Sequence, residues 1–543
     1  MATVPQVVAI RETLIQIREI MDISILPWHR RRYKFVALAG VLAATVIAGA
    51  ATAASSPGSW TSSGNGLANW RNQPNETTIN PGNVKDLTPK WVYQAAGDIS
   101  ATPSVEDGAV YLPDWGGKVS KVDAETGALI WQANLSTIAG LGVVSRTTPT
   151  IAGNTVLIST QKGARLIALD KMTGTVQWVT QVDPTPFAIL TQSPTVANGV
   201  VYQGVASTEE GATAFIPNYP CCFFRGNMNA INLATGAPLW KTYTTPAIAG
   251  YSGAAVWSSS PVVDLARNSL YITTGNNYSV PAAVSACVAA NPGSTLCDDP
   301  TNLVDAIVSL NLNTGQVKWA DKLWSADAWN VACIITFINP LSCPSPSGPD
   351  YDFGQGAMLL NTKIKGKDHD ILVAGQKSGV MWGVNPDDGA VWWGTQAGPG
   401  GTLGGLEWGS ATDGKRVYFA ISNNARLPYA GRPELGTAGS WGAIDPGTGA
   451  IVWQTKDPNG NIDPGAVSVA NDVVYGGSLE PDPTKPTFFG LNAANGNIKW
   501  SYASGGSVNS GPAIVDGTVY WGSGYSNFGL GSPNNKLYAF SVR

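Results

Sequence analysis

Histidine is almost missing from this chain: there are two in 543 residues, His29 and His369. His29 falls in the N-terminal leader, and His369 in the polar run KGKDHD, where a solvated turn is expected. A Ser-His-Asp triad would need His369 to leave that turn, and a His-ligated metal centre has no ligands to draw on. The haem-attachment pattern Cys-x-x-Cys-His is absent, and no phosphate-loop or dinucleotide fingerprint lies between a strand and a helix. Charge is scarce as well, at 13% of residues with a net −4. Residues 1–53 hold six basic and three acidic residues, so the remainder carries a net charge of about −7, the wrong sign for a nucleic-acid surface. Catalysis in such a chain falls to carboxylates, a hard cation or an organic cofactor.

One apolar run stands out, Phe35 to Ala50. The basic block His29-Arg30-Arg31-Arg32 precedes it and Ala51-Thr52-Ala53 follows. This is the order of an export signal with cleavage near Ala53–Ala54, or of an uncleaved anchor, and the run is short for a membrane span. The expected location is periplasmic or extracellular. All six cysteines lie beyond the leader. Cys287–Cys297 and Cys333–Cys343 are expected to close loops as disulfides. Cys221 and Cys222 are adjacent. Two thiols, a redox-active disulfide and a rigid platform for a planar ligand are the readings of that pair, and the platform is preferred. The sequons at Asn75, Asn134 and Asn277 would matter only in a glycosylating host.

What the chain has in abundance is Gly and Trp, 62 and 20 residues. Seven Gly-x-x-x-Trp pairs run from Gly127/Trp131 to Gly496/Trp500, against about two expected by chance. Each copy, such as VDAETGALIW or LNLNTGQVKW, reads as a strand, a tight turn and a short strand ending in Trp. Upstream hairpins such as PTVANGVVYQ complete a four-stranded unit, the blade of a β-propeller. LTPKWVYQ (87–94) is a Trp strand with nothing before it, and KLYAFSVR (536–543) is a strand with nothing after. Their pairing predicts an eighth blade and an all-β, eight-bladed ring closed by both termini. The expected layout is a leader at 1–53, a lead-in at 54–86 and the propeller at 87–543. Trp-to-Trp spacings of 40 to 79 residues, against roughly 40–45 for a minimal blade, put insertions in the blades ending at Trp240, Trp319, Trp393 and Trp453.

The repeated LDxxTGxxxW, the eight blades, the export signal and the vicinal Cys pair resemble the quinoprotein alcohol dehydrogenases. GDISATP, PDWGG, STEE with YPCCFFRG, TGNNYS, PDYDFG and AGQKSG most resemble the polyvinyl alcohol dehydrogenase branch, over residues 60–543. The resemblance implies pyrroloquinoline quinone (PQQ) with Ca2+ on the ring axis. It implies calcium ligands at Glu209, with Glu210 as the register alternative, and at Asn276. It implies a catalytic base at Asp352, with Asp350 as the alternative and Asp327 of SADAWN (325–330) as another. Arg146, Thr191, Trp257 and Lys377 would contact PQQ, with Cys221 and Cys222 on its other face. The sequence also departs from the family. Ser100 stands where a PQQ-binding carboxylate is expected, Asn330 holds the key position of SADAWN, and the Cys pair lies in a later insertion than in methanol-type enzymes.

These residue types suit the chemistry. Ca2+ takes carboxylate and amide oxygens and polarises a carbonyl. An Asp accepts the alcohol proton, and Arg and Lys meet carboxylate and quinone oxygens. The implied reaction is oxidation of a secondary or polymeric alcohol, with electrons passing to an external acceptor such as cytochrome c. Two other readings remain open: a cofactor-free propeller acting as a protein-binding scaffold, and a lectin-like propeller.

Overall fold

Every Trp of the repeat reaches the next blade. In the computed structural model, which describes residues 58–542, Trp131 donates its indole N–H to Lys171 O in the following blade at 3.1 Å. Its ring lies against Gly174, where a Cβ would stand 2.7 Å from it. Gly174 has φ +72°, so the turn needs glycine for its backbone as well as for the close approach. The same clasp recurs around the ring, from Trp91 on Gly127 to Trp453 on Gly496. The repeat therefore links neighbours: each Gly serves the Trp of the blade before it.

The blades are eight four-stranded antiparallel units at 104–134, 150–181, 195–243, 262–322, 358–396, 411–456, 468–502 and 513–542 with 87–94. The last is the split blade. Leu87–Gln94 pairs with Lys536–Val542 in the register Leu87↔Val542 to Gln94↔Lys536. It carries the register shift before its Trp that the other outer strands also show, between Pro89 and Trp91 here and at Lys121/Val122 in the first blade. Trp500 has no following Gly turn, because the chain is interrupted there, and it donates instead to Leu87 O at 3.1 Å. Apolar faces of adjacent blades fill the gaps between them. Leu157, Ala168, Val201 and Ile231 form one such layer.

The lead-in is part of the ring's interior. Residues 60–73 cross the innermost strands, whose free edges would otherwise leave donors unpaired. Val105 N, Ile151 N, Val263 N, Leu359 N, Thr412 N and Val469 N bond to carbonyls between Trp60 and Arg71. Asn72–Gln73 adds a parallel strand to Ser468–Ala470. The sequence offers no repeat there, so this strap was not expected.

The insertions fall where the spacing placed them. The helix Glu209–Phe215 and the Cys pair interrupt the blade ending at Trp240, and the helix Ala282–Ala290 interrupts the one ending at Trp319. Disulfides join Cys287 to Cys297 and Cys333 to Cys343, and Cys221 to Cys222. His369 is exposed and sits in the strand Lys367–Gly375, edge-on to Trp392, just past the turn expected to hold it. Asn277, at 2% exposure, donates to Ser252 O and Asn302 Oδ1, which closes that sequon to modification in the folded chain. The leader, its basic block and its cleavage site lie outside the described residues.

Candidate active site

Loops that enter or interrupt the blades converge on a cavity of about 220 Å3 inside the ring. Arg146, Thr191, Trp257, Asp352 and Lys377 of the expected set line it, as does Glu210. Asp350, Asn276, Glu209 and the Cys pair are not among the residues that line it.

Lys377 is the hub. Its Nζ lies 3.1 Å from Asp350 Oδ1 and 3.4 Å from Asp352 Oδ2, and 5.2 Å from the Trp257 ring centroid. Its backbone N–H holds Asp352 O at 2.9 Å. Burial works against the ammonium, but Asp350 and Asp352 outweigh it and hold its pKa well above the usual lysine value. Asp352 also accepts the backbone N–H of Asn276 at Oδ1, 2.6 Å. Gly275 permits that approach, since a Cβ there would be 2.8 Å from the carboxylate. Burial raises Asp350 well above the carboxylate range, and Lys377 offsets this only in part.

Asp327 fixes the same segment from behind. Its Oδ1 accepts Asp350 N at 3.0 Å and its Oδ2 accepts Tyr351 N at 2.6 Å. Burial raises its pKa to about 6. Both oxygens are committed to backbone donors and it does not line the cavity, so it is a clamp on the 350–352 turn. Asn330 is a latch as well: its Nδ2 donates to Tyr278 O and Ser342 O, and its Oδ1 accepts from Ala332 N and Thr213 Oγ1.

The first expected metal ligand, Glu209, is held by its surroundings. Glu209 Oε1 accepts from Tyr219 OH at 2.7 Å and Phe223 N at 2.8 Å, and Oε2 accepts from Phe224 N at 2.8 Å. Its carboxylate ties down the loop that carries Cys221 and Cys222. Glu210, one residue on, faces the cavity. Burial, then Asp352, push its carboxyl up to about 8. Asn276 commits its Nδ2 to Trp329 O and Asn277 O, which turns its amide oxygen away from those carbonyls.

The walls suit a flat, acidic ligand. Trp257 and Trp408 meet edge-on, 5.3 Å between centroids and 77° between planes. Thr191 Oγ1 donates to Trp257 O at 3.0 Å and so steadies that ring. Arg146 lies 4.2 Å over the Trp408 ring. Burial lowers its pKa while Tyr525 and Glu407 oppose the shift. Cys222 packs against the apolar cluster that includes the wall residues Ile189, Ala206, Ala255 and Tyr278. Trp257 Nε1 and Glu407 Oε1 are buried without a partner, so the cavity still has hydrogen bonds to give. Burial raises Glu407 to about 7 against the pull of Lys377 and Arg146. Glu407, Trp408 and Tyr525 were not foreseen; the first two lie in a loop between blades and Tyr525 in a loop within the last blade, where no motif marks them. Among the described residues no trio of His, Cys, Asp or Glu side chains closes to metal-holding range. A cation here needs amide or ligand oxygens in its set.

Comparison with known proteins agrees with this architecture. A family model described as outer membrane protein assembly factor BamB matches residues 61–320 and 438–542. Polyvinylalcohol dehydrogenase of a Pseudomonas species is 30% identical over 536 residues, 90% of this chain and 78% of that protein. The polyvinylalcohol dehydrogenase of Sphingopyxis sp. strain 113P3 is 30% identical over 514 residues, 84% and 73% of the two chains. The solved quinohemoprotein alcohol dehydrogenase of Comamonas testosteroni superimposes with a TM-score of 0.68 at 20% identity, over 89% of this chain and 80% of that one. At that identity the likeness speaks for the fold. The relatives carry the family: this chain belongs to the quinoprotein alcohol dehydrogenases, in the branch of the polyvinyl alcohol dehydrogenases, and is an alcohol oxidoreductase.

Proposed function

We propose that the protein oxidises a secondary alcohol, in the first instance one carried on a polymer such as polyvinyl alcohol, to a carbonyl, using PQQ and Ca2+ outside the cytoplasm. The observation that carries this reading is the joining of Asp352, Lys377 and Trp257 in one cavity with Arg146 and Glu210. A scaffold propeller has no use for buried charge of this density, which costs several kcal/mol per ion unless it is employed.

The donors fit a flat tricarboxylate quinone. Arg146 and Lys377 supply positive charge at two points of the wall, and Trp257 offers a flat face to the ligand plane, with Cys222 packed against the apolar cluster that forms part of the wall. Glu210 and the Asn276 amide oxygen are the protein's hard-cation ligands, with Glu210 taking the role first expected of Glu209. Held there, PQQ would supply the hydride acceptor for the alcohol carbon and Ca2+ would supply the Lewis acid.

The chain's own residues handle the proton. Asp352 stands as the general base, its Oδ1 held by Asn276 N and its Oδ2 facing Lys377, so the carboxylate is oriented before substrate arrives. The alcohol O–H donates to it, and Lys377 steadies the resulting charge distribution. Asp350 shares Lys377 and keeps the ammonium in place. The apolar wall of Ile189, Ala206, Ala255 and Tyr278 excludes water from the reacting carbon. Electrons leave to an external acceptor such as cytochrome c.

The test is Asp352→Asn. Turnover is expected to fall by about 10²–10⁴-fold while the quinone still binds within a few fold of wild type. Retained turnover would move the base to another carboxylate.

A further inference from the structure

A second, smaller cavity of about 50 Å3 adjoins the first and shares Arg146, Thr191 and Trp408 with it. Arg71 of the strap lines only this one. Its side chain is 1% exposed, and all its nitrogens donate to neutral oxygens. Nε goes to Val467 O, Nη1 to Ser63 O and Oγ, and Nη2 to Thr102 Oγ1 and Ser468 Oγ. No carboxylate pairs with it among the described residues; burial alone acts on its pKa, lowering it to about 10. A buried carboxyl escapes desolvation by binding a proton, whereas this guanidinium stays charged at neutral pH.

Four hydroxyls around the cavity each already accept one N–H. Ser100 Oγ accepts the Trp115 indole N–H at 2.8 Å, Thr102 Oγ1 accepts Arg71 Nη2 at 2.9 Å, Ser193 Oγ accepts Thr148 N at 3.0 Å and Ser259 Oγ accepts Gly356 N at 3.0 Å. All four line the cavity. A hydroxyl that accepts an N–H still has its own proton to donate, and no acceptor for these four protons is found among the described residues. Spare donors around an uncompensated positive charge are the inverse of a cation site. A water fits the same space, needing only about 10–15 Å3 of it, and would serve Asn509 Oδ1, which lacks a donor. It would leave the charge of Arg71 unanswered.

We infer that this cavity holds one monovalent anion of halide size, chloride in ordinary buffers, as the counter-ion of Arg71. The ion ties the strap to the segments that lead into three inner strands, at Thr102, Ser193 and Ser259, beside the cofactor cavity. The inference does not depend on the quinone, and its readouts do not depend on turnover.

Crystals grown or soaked in sodium bromide should show one anomalous bromine peak between the Arg71 guanidinium and the Ser100, Thr102, Ser193 and Ser259 hydroxyls. In solution at fixed ionic strength, replacing gluconate by chloride should raise the melting temperature saturably, by about 2 °C or more. Ser259→Ala, which removes one donor and keeps the strap, should shift the half-saturating chloride concentration at least threefold. Arg71→Met, if it folds, should abolish the response. A cavity without bromine density, or a melting temperature indifferent to chloride, overturns the inference.

Discussion

Glu209 and Glu210 are neighbours at the start of one short helix and face different surroundings. Glu209 accepts three hydrogen bonds from Tyr219 OH, Phe223 N and Phe224 N, while Glu210 lines the cavity 220 Å3 in size. One residue of an α-helix turns the side chain by about 100°, which is enough to exchange the jobs of loop anchor and cation ligand. Glu210→Gln is therefore expected to weaken calcium activation at least tenfold with the fold intact. Glu209→Gln should instead lower stability by about 1.5–3 kcal/mol, the worth of hydrogen bonds to a charged group, with a nearly normal calcium titration of the folded fraction. Calcium titrations paired with denaturant melts separate the two; a calcium defect confined to Glu209→Gln would restore the first assignment.

Asp327 is expected to act on the base without touching substrate. Replacing it by Asn leaves one oxygen for two backbone donors, so the 350–352 turn loosens. The predicted result for Asp327→Asn is a ten- to hundredfold loss of kcat, a small change in KM and a stability loss of about 1–3 kcal/mol. Unchanged kcat with lowered stability would make the clamp purely structural.

Asp463 lies between the cavity residues Ile462 and Pro464 and is fully buried. Burial, then Asp457, raise its pKa well above the usual value, with Ser478 and Arg426 opposing and Tyr429 close by. A raised folded pKa means that its contribution to stability is full below the ordinary carboxyl range and is lost as pH rises toward the folded value. Asp463→Asn keeps the shape and removes the titration. It should match wild type near pH 4 and become progressively more stable than wild type as pH rises to 8. Melting curves across that range decide it, and a gain that does not grow with pH contradicts the assignment.

The ring was readable because its clasp is written in two residues at fixed spacing. The Trp131 indole needs Lys171 O and a bare Gly174, and that demand recurs in each turn. The strap was not readable, because it works through backbone carbonyls and a single Arg71, neither of which leaves a pattern. Within the site, Arg146, Thr191, Trp257, Asp352 and Lys377 came from family motifs and do meet in one cavity. Glu407 and Tyr525 reach it from loops with no motif. The one-residue uncertainty at Glu209 was beyond any linear reading, since only the packing of Phe223 and Phe224 decides which carboxylate is spent.

The central claim is that this cavity binds a quinone with calcium to oxidise alcohols, and reconstitution tests it most directly. Purified protein titrated with PQQ in the presence of Ca2+ should bind one quinone per chain at micromolar concentration or below and then reduce a dye in step with added secondary or polymeric alcohol. Calcium chelation should abolish that activity. Absence of PQQ binding at micromolar concentration, or binding with no alcohol-dependent dye reduction, would contradict the account.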